Sequence, residues 1–118
     1  AEPGSDLVRA AMQSADGWYI CRIGYVETVR AVGLAAGHHA TRSVLEEWPS
    51  FAVVEVDQGL VERAAQLALE EDLCSFDALH LSAALLLPAE ELVFASWDRR
   101  LHAAARSHRL DVIPESLP

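Results

Sequence analysis

The chain has little positive charge: 9 Lys and Arg stand against 18 Asp and Glu, for a net charge of -9. This balance argues against a protein that grips nucleic acid by broad counterion release. It leaves room for a nucleic-acid enzyme. Negative charges gathered in one cleft need a divalent cation before any phosphate can approach. A merely solvated acidic surface is the alternative reading of the same charge. Cysteine is scarce as well. Cys21 and Cys74 form no CxxC pair or clustered array, so they read as reduced thiols with no disulfide or metal role. No apolar run approaches the ~20 residues of a membrane span. Residues 1–15 lack the charged start and apolar centre of a signal peptide. These absences point to a soluble protein of the cytoplasm. There is no GxSxG elbow and no phosphate-cradling GxxxxGK loop. His38 and His39 are adjacent, and His102 and His108 lie on a polar helical tail; all four read as solvated, and zinc is disfavoured. Repeats, low-complexity tracts and linkers are also missing.

What is present is an alternation of helical patterns with short β-like runs, in 118 residues of which 52% are hydrophobic. That suits one domain, residues 1–118, with its own core. A first helix is expected from about Ser5 to Ser14, followed by a turn at Gly17 and a short strand Trp18-Tyr19-Ile20. Helices near 22–36 and 38–48 are separated at Gly37, and Pro49 ends the second. Phe51-Ala52-Val53-Val54-Glu55-Val56 reads as a buried strand, and Asp57 caps a helix reaching about Glu71. A helix beginning at Asp77 and stopping at Pro88 follows, then a strand at Leu92-Val93-Phe94-Ala95 and a helix from about Arg99 to Ser107. Leu110-Asp111-Val112-Ile113 forms the last strand. Strands spaced by helices in this way imply an α/β fold with a parallel sheet. The chain opens at Ala1-Glu2-Pro3-Gly4, with no initiator Met and no strand before its first helix, and this reads as a beginning already lost.

Three carboxylates sit beside apolar segments. Asp77 stands at the mouth of the helix Asp77-Ala78-Leu79-His80-Leu81-Ser82-Ala83-Ala84, Glu27 lies within Tyr25-Val26-Glu27, and Asp98 follows Phe94-Ala95-Ser96-Trp97. Each has an ordinary explanation. Asp77 and Asp98 can serve as N-caps, and Glu27 can pair with Arg30 within its helix. What those explanations leave out is why all three fall near helix starts or strand ends on what could be one edge of a sheet. In open α/β sheets ligands enter at the carboxyl ends of strands. Hard oxygen ligands select Mg²⁺ or Mn²⁺, which activates water and shields a scissile phosphodiester. Metal-dependent phosphodiester hydrolysis is the reaction such a set supports; a non-catalytic interaction domain with structural acids is the other reading. His80 lies one turn after Asp77 on the same face, where it either packs in the core or orients a site residue. Trp48 and Tyr25, with Val44 and Leu45, belong to the core or to a protein interface, and core is the expectation.

Those same phrases resemble the PIN-domain ribonucleases, and among them the toxin component of VapBC-type toxin-antitoxin pairs, over nearly the whole chain. The Asp-Ala-Leu-His phrase at 77–80 is the most specific carrier. The resemblance implies a three-layer α/β/α fold around a parallel sheet and Mg²⁺- or Mn²⁺-dependent cleavage of RNA. It makes Glu27, Asp77 and Asp98 similar to the family's acidic metal-site residues and Ser96 similar to a small hydroxyl residue near the last acid. It also implies a homodimer and a cognate antitoxin lying over the acidic cleft. Arg99 and Arg100 beside the site either contact RNA phosphates or are ordinary surface charges. PIN domains open with a central strand ending in Asp, which nothing here matches; Asp6, at a helix start after Pro3-Gly4-Ser5, does not serve. The expectation is a site one acid short, two strands left unpaired, weak metal affinity, and activity lost unless that gap is filled.

Overall fold

The computed structural model describes residues 5–88, 90 and 92–117. The chain opening at residues 1–4, on which part of the reading above rests, lies outside them. The order is α1 (Ser5–Ser14), β1 (Trp18–Cys21), α2 (Gly24–Ala36), α3 (His38–Glu47), a 3-10 turn at Trp48–Ser50, and β2 (Phe51–Val54). Then come α4 (Gln58–Glu70), α5 (Ser75–Ala84), β3 (Val93–Ala95), α6 (Arg99–Ser107) and β4 (Asp111–Ile113). The expected alternation is borne out, and the fold is mixed α/β with parallel pairing.

Local chemistry explains most boundaries. Asp57 caps α4 by accepting a bond from the Leu60 amide at 2.9 Å, and Leu60, Ala64 and Leu67 then recur on its buried face. Asp98 caps α6 in the same way through the Leu101 amide at 2.9 Å, with Leu101, Ala104 and Ala105 turned inward. Between α2 and α3 the chain turns at Gly37, whose φ of 84° is reached without the penalty a Cβ would bring. The strand expected over 51–56 stops at Val54, and both ends of the helix expected over 77–88 differ from expectation. α5 begins at Ser75, with Cys74 as its N-cap residue, and ends at Ala84, short of Pro88. Its early start puts Asp77 inside the first turn, so the N-cap reading of Asp77 fails.

The strands form two pairs. β1 pairs with β2 in register Trp18 to Phe51 through Cys21 to Val54, and β3 with β4 from Val93 and Asp111 to Ala95 and Ile113, both parallel. Among the described residues no strand bridges the pairs; α5 does so instead. It packs on α4, β1 and α6. Ala78, Leu81, Ser82 and Ala83 on α5 are nearly inaccessible, and the half-buried Leu79 touches both parts of the core. One part gathers α4, α5, α6 and β4 around Leu67 and Ala105; the other holds Cys21, Leu60 and Ala83. The hydroxyl of Ser82 donates to the Leu60 carbonyl at 2.9 Å, so the polar group buried in this platform is satisfied.

α2 and α3 are more loosely held. α3 buries no residue, and Leu45 is 55% exposed, which corrects its assignment to the core. Tyr25 and Trp48 meet edge to face with ring centroids 4.8 Å apart, and Trp48 continues to Phe51 at 5.9 Å, a half-buried aromatic row flanking β2. Among the described residues no helix is long and apolar enough to cross a membrane.

Candidate active site

The carboxyl ends of β1 and β3 each feed a helix start, and α5 places a third helix start beside them. Helix N-termini present unpaired amides and a partial positive charge, so carboxylates are favoured there. Glu27 lies in the first turn of α2, Asp77 in the first turn of α5, and Asp98 at the N-cap of α6.

Each acid has a different set of contacts. Asp98 is held on both sides: its Oδ1 accepts from Leu101, and its own amide donates to the Ser96 Oγ at 3.1 Å. Ser96 is buried, so this small hydroxyl fixes the loop that presents Asp98. Glu27 forms no pair with Arg30 among the described residues; the His80 imidazole Nε2 donates to its Oε1 across the gap between α5 and α2. Asp77 is half-buried and accepts no hydrogen bond among the described residues. Burial, first, and then the negative charge of Asp98 hold its carboxyl above the ordinary value of 3.8; His80 pulls it back, and Glu27 adds to the rise. The groups that act on Asp77 are therefore the other two acids and the histidine that binds one of them.

The arrangement is open. Among the described residues no three His, Cys, Asp or Glu side chains stand close enough to cage an ion. Two of the acids are turned toward protein partners, Glu27 to His80 and Asp98 to its helix amide. The donor set nonetheless fits a hard divalent cation: carboxylate oxygens only, with like charges whose mutual repulsion such an ion would relieve. Mg²⁺ in particular is commonly held by one or two carboxylates and several waters, which an open site allows. The two most defined hollows on the surface lie elsewhere, one bounded by Ile20, Val44 and Trp48 and the other by Arg30, Leu34 and His38, and none of the three acids lines them. Converging titratable groups are a better guide to chemistry here than concavity, because those hollows are predominantly apolar.

The neighbouring cations divide. Arg100 is tied to Asp72, 2.6 Å from its Oδ2, whereas Arg99 is exposed beside Asp98. Among the histidines, His38 and His39 are exposed as expected. The expectation fails for His102, which is buried with its Nε2 donating to the Pro114 carbonyl at 2.6 Å, and for His108, half-buried 3.1 Å from Glu71. Both cysteines are free, Cys21 buried and Cys74 exposed. One residue at the site had no signal in the sequence reading: Gly24, buried where α2 meets β1. A Cβ there would stand 2.6 Å from the Ile20 side chain and 3.6 Å from His80 Cε1.

Comparison with known proteins gives the family. A PIN domain matches residues 1–107, and the chain belongs to the PIN-domain family, whose architecture is a three-layer α/β/α fold. It is similar to Ribonuclease VapC45 of Mycobacterium tuberculosis strain CDC 1551 / Oshkosh and to Ribonuclease VapC49 of strain ATCC 25618 / H37Rv. Each is 33% identical over 125 residues, covering 98% of this chain and 87% of the relative.

Proposed function

We propose that this chain is a VapC-type toxin, an endoribonuclease that hydrolyses RNA phosphodiesters with Mg²⁺ or Mn²⁺. The observation that carries the reading is Asp77: a half-buried carboxylate with no hydrogen bond among the described residues, its pKa raised by burial and by the other two acids. A half-buried carboxylate with no hydrogen bond from the protein, crowded by like charge, is free to take a cation. The ribonuclease names of the relatives supply the substrate class.

In this reading Asp77, Asp98 and Glu27 would hold the ion, which would activate a water and shield the phosphodiester charge. Asp77 is the anchor, since it needs no release from a protein partner. Ser96 keeps Asp98 at the strand end. Arg99 receives an RNA phosphate; Arg100, held by Asp72, is the weaker candidate for that contact. The acidic surface makes RNA binding local to the site rather than spread over the molecule. A cognate antitoxin, a homodimer and a cytoplasmic setting belong to the same proposal.

A second reading, a non-catalytic interaction domain, draws on the two acids with structural employment: Asp98 as a cap and Glu27 as the partner of His80. An RNA-cleavage assay with added Mn²⁺, comparing the chain with Asp77→Asn, separates the two. The nuclease reading expects cleavage that falls in the variant by more than the roughly 100-fold that even outer-shell residues command. Equal cleavage by chain and variant contradicts it.

A further inference from the structure

We infer that His80 is a positioning residue: it fixes the Glu27 carboxylate relative to Asp77, and Gly24, where a Cβ would strike the Ile20 side chain, lets α2 close on β1 beside that contact. The inference rests on the metal-site reading above and deepens it. Asp77 and His80 are three residues apart on α5, so they share one face of the helix. That helix is the most firmly held in the fold, with Ala78, Leu81, Ser82 and Ala83 each at 3% exposure or less. An imidazole projecting from it is a bracket on a rigid wall. α2, in contrast, has Gly24 as its buried residue, and its Val26 and Leu34 face solvent. Left alone, Glu27 would be aimed by a loosely packed helix.

The bond from His80 Nε2 to Glu27 Oε1 removes that freedom. It is charge-assisted when Glu27 is ionised, and it is partly shielded, with side-chain exposures of 22% for His80 and 37% for Glu27. One helix thus carries the anchor acid and the group that sets where the second acid stands. Gly24 lies three residues before Glu27 on the same face of α2, over Ile20 and the His80 ring. The missing side chain lets the first turn of α2 come down onto β1 until the imidazole reaches the carboxylate. His80 touches neither water nor phosphate in this account; its effect on chemistry runs through Glu27.

The test is Mn²⁺ affinity by calorimetry for the wild-type chain, His80→Leu and His80→Gln, each checked for folding by circular dichroism. A glutamine amide nitrogen can take the place of Nε2 and donate to Glu27, whereas leucine keeps bulk and loses the donor. The expected result is a loss of about 10- to 100-fold in affinity for His80→Leu, with His80→Gln recovering most of it. Equal affinity in all three proteins overturns the inference. A second readout needs no bound ion and covers a His80→Leu chain that does not fold: the ¹⁵N resonance of His80 Nε2 in the wild type and in Glu27→Ala. A shift of that resonance toward the value of a free imidazole in Glu27→Ala supports the contact, and an unchanged resonance overturns it. If the wild type takes up no Mn²⁺, the metal-site reading fails, and the ¹⁵N result still decides whether His80 positions Glu27.

Discussion

Asp77 is held in a state that costs the fold something. Its carboxyl titrates above the ordinary value of 3.8 because burial and the charges of Asp98 and Glu27 disfavour ionisation, against the opposing pull of His80. A carboxylate with a raised folded pKa lends stability below its unfolded value, and that stability is lost as pH rises through the folded value. At neutral pH the ionised Asp77 therefore weighs against folding, and Asp77→Asn removes the weight. The metal-free Asp77→Asn chain is expected to melt higher than wild type at pH 7, with the difference shrinking as pH falls through the raised folded value of Asp77 and gone below about 4; melting curves from pH 7 to that limit check it. A variant that melts lower than wild type at pH 7 would mean that Asp77 is structural. The candidacy of Asp77 is legible in the sequence because a lone carboxylate in an apolar helical run is unusual. The burial of His102 was not. Its partner, the Pro114 carbonyl, belongs to the segment after β4, and no local pattern marks a contact that arises when α6 packs on that strand.

At the scale of elements, caps and proline stops write boundaries into the sequence, and α4 and α6 begin where Asp57 and Asp98 say they should. α5 was misjudged by two residues because its N-cap position is Cys74, which makes no side-chain cap bond and so leaves no signature. That small slip decides a functional question, since it takes Asp77 out of the capping role. Asp98 keeps the role, and its cap and its proposed metal contact separate by substitution. Asn caps as well as Asp but carries no charge. Asp98→Asn is expected to keep thermal stability within a few tenths of a kcal/mol and to lose Mn²⁺ binding. Asp98→Ala should lose both, with a stability cost of about 1 kcal/mol. Denaturant unfolding and metal titration on the two variants check this; undiminished Mn²⁺ binding by Asp98→Asn would leave Asp98 as a cap alone.

At the scale of the whole molecule, the alternation of strands and helices was enough to read α/β class and parallel pairing, because both follow from local periodicity and crossover length. How the strands group was beyond it. Pairing depends on contacts between residues far apart in the chain, and the result is two pairs joined through α5, Leu79 touching both parts of the core. The same helix brings the acids of separate elements into one neighbourhood. Its sequence phrase, Asp-Ala-Leu-His, combines the anchor acid, two apolar residues turned toward the core and the histidine that reaches Glu27. The net charge of -9 takes on a local meaning in the proposed function, where Glu27, Asp77 and Asp98 would share one cation. The most direct test of this account is a calorimetric Mn²⁺ titration of the chain beside Asp77→Asn, both confirmed as folded. Binding by the wild type that is lost in the variant is the predicted result. Equal heats from the two proteins would contradict the claim that these acids form a metal centre.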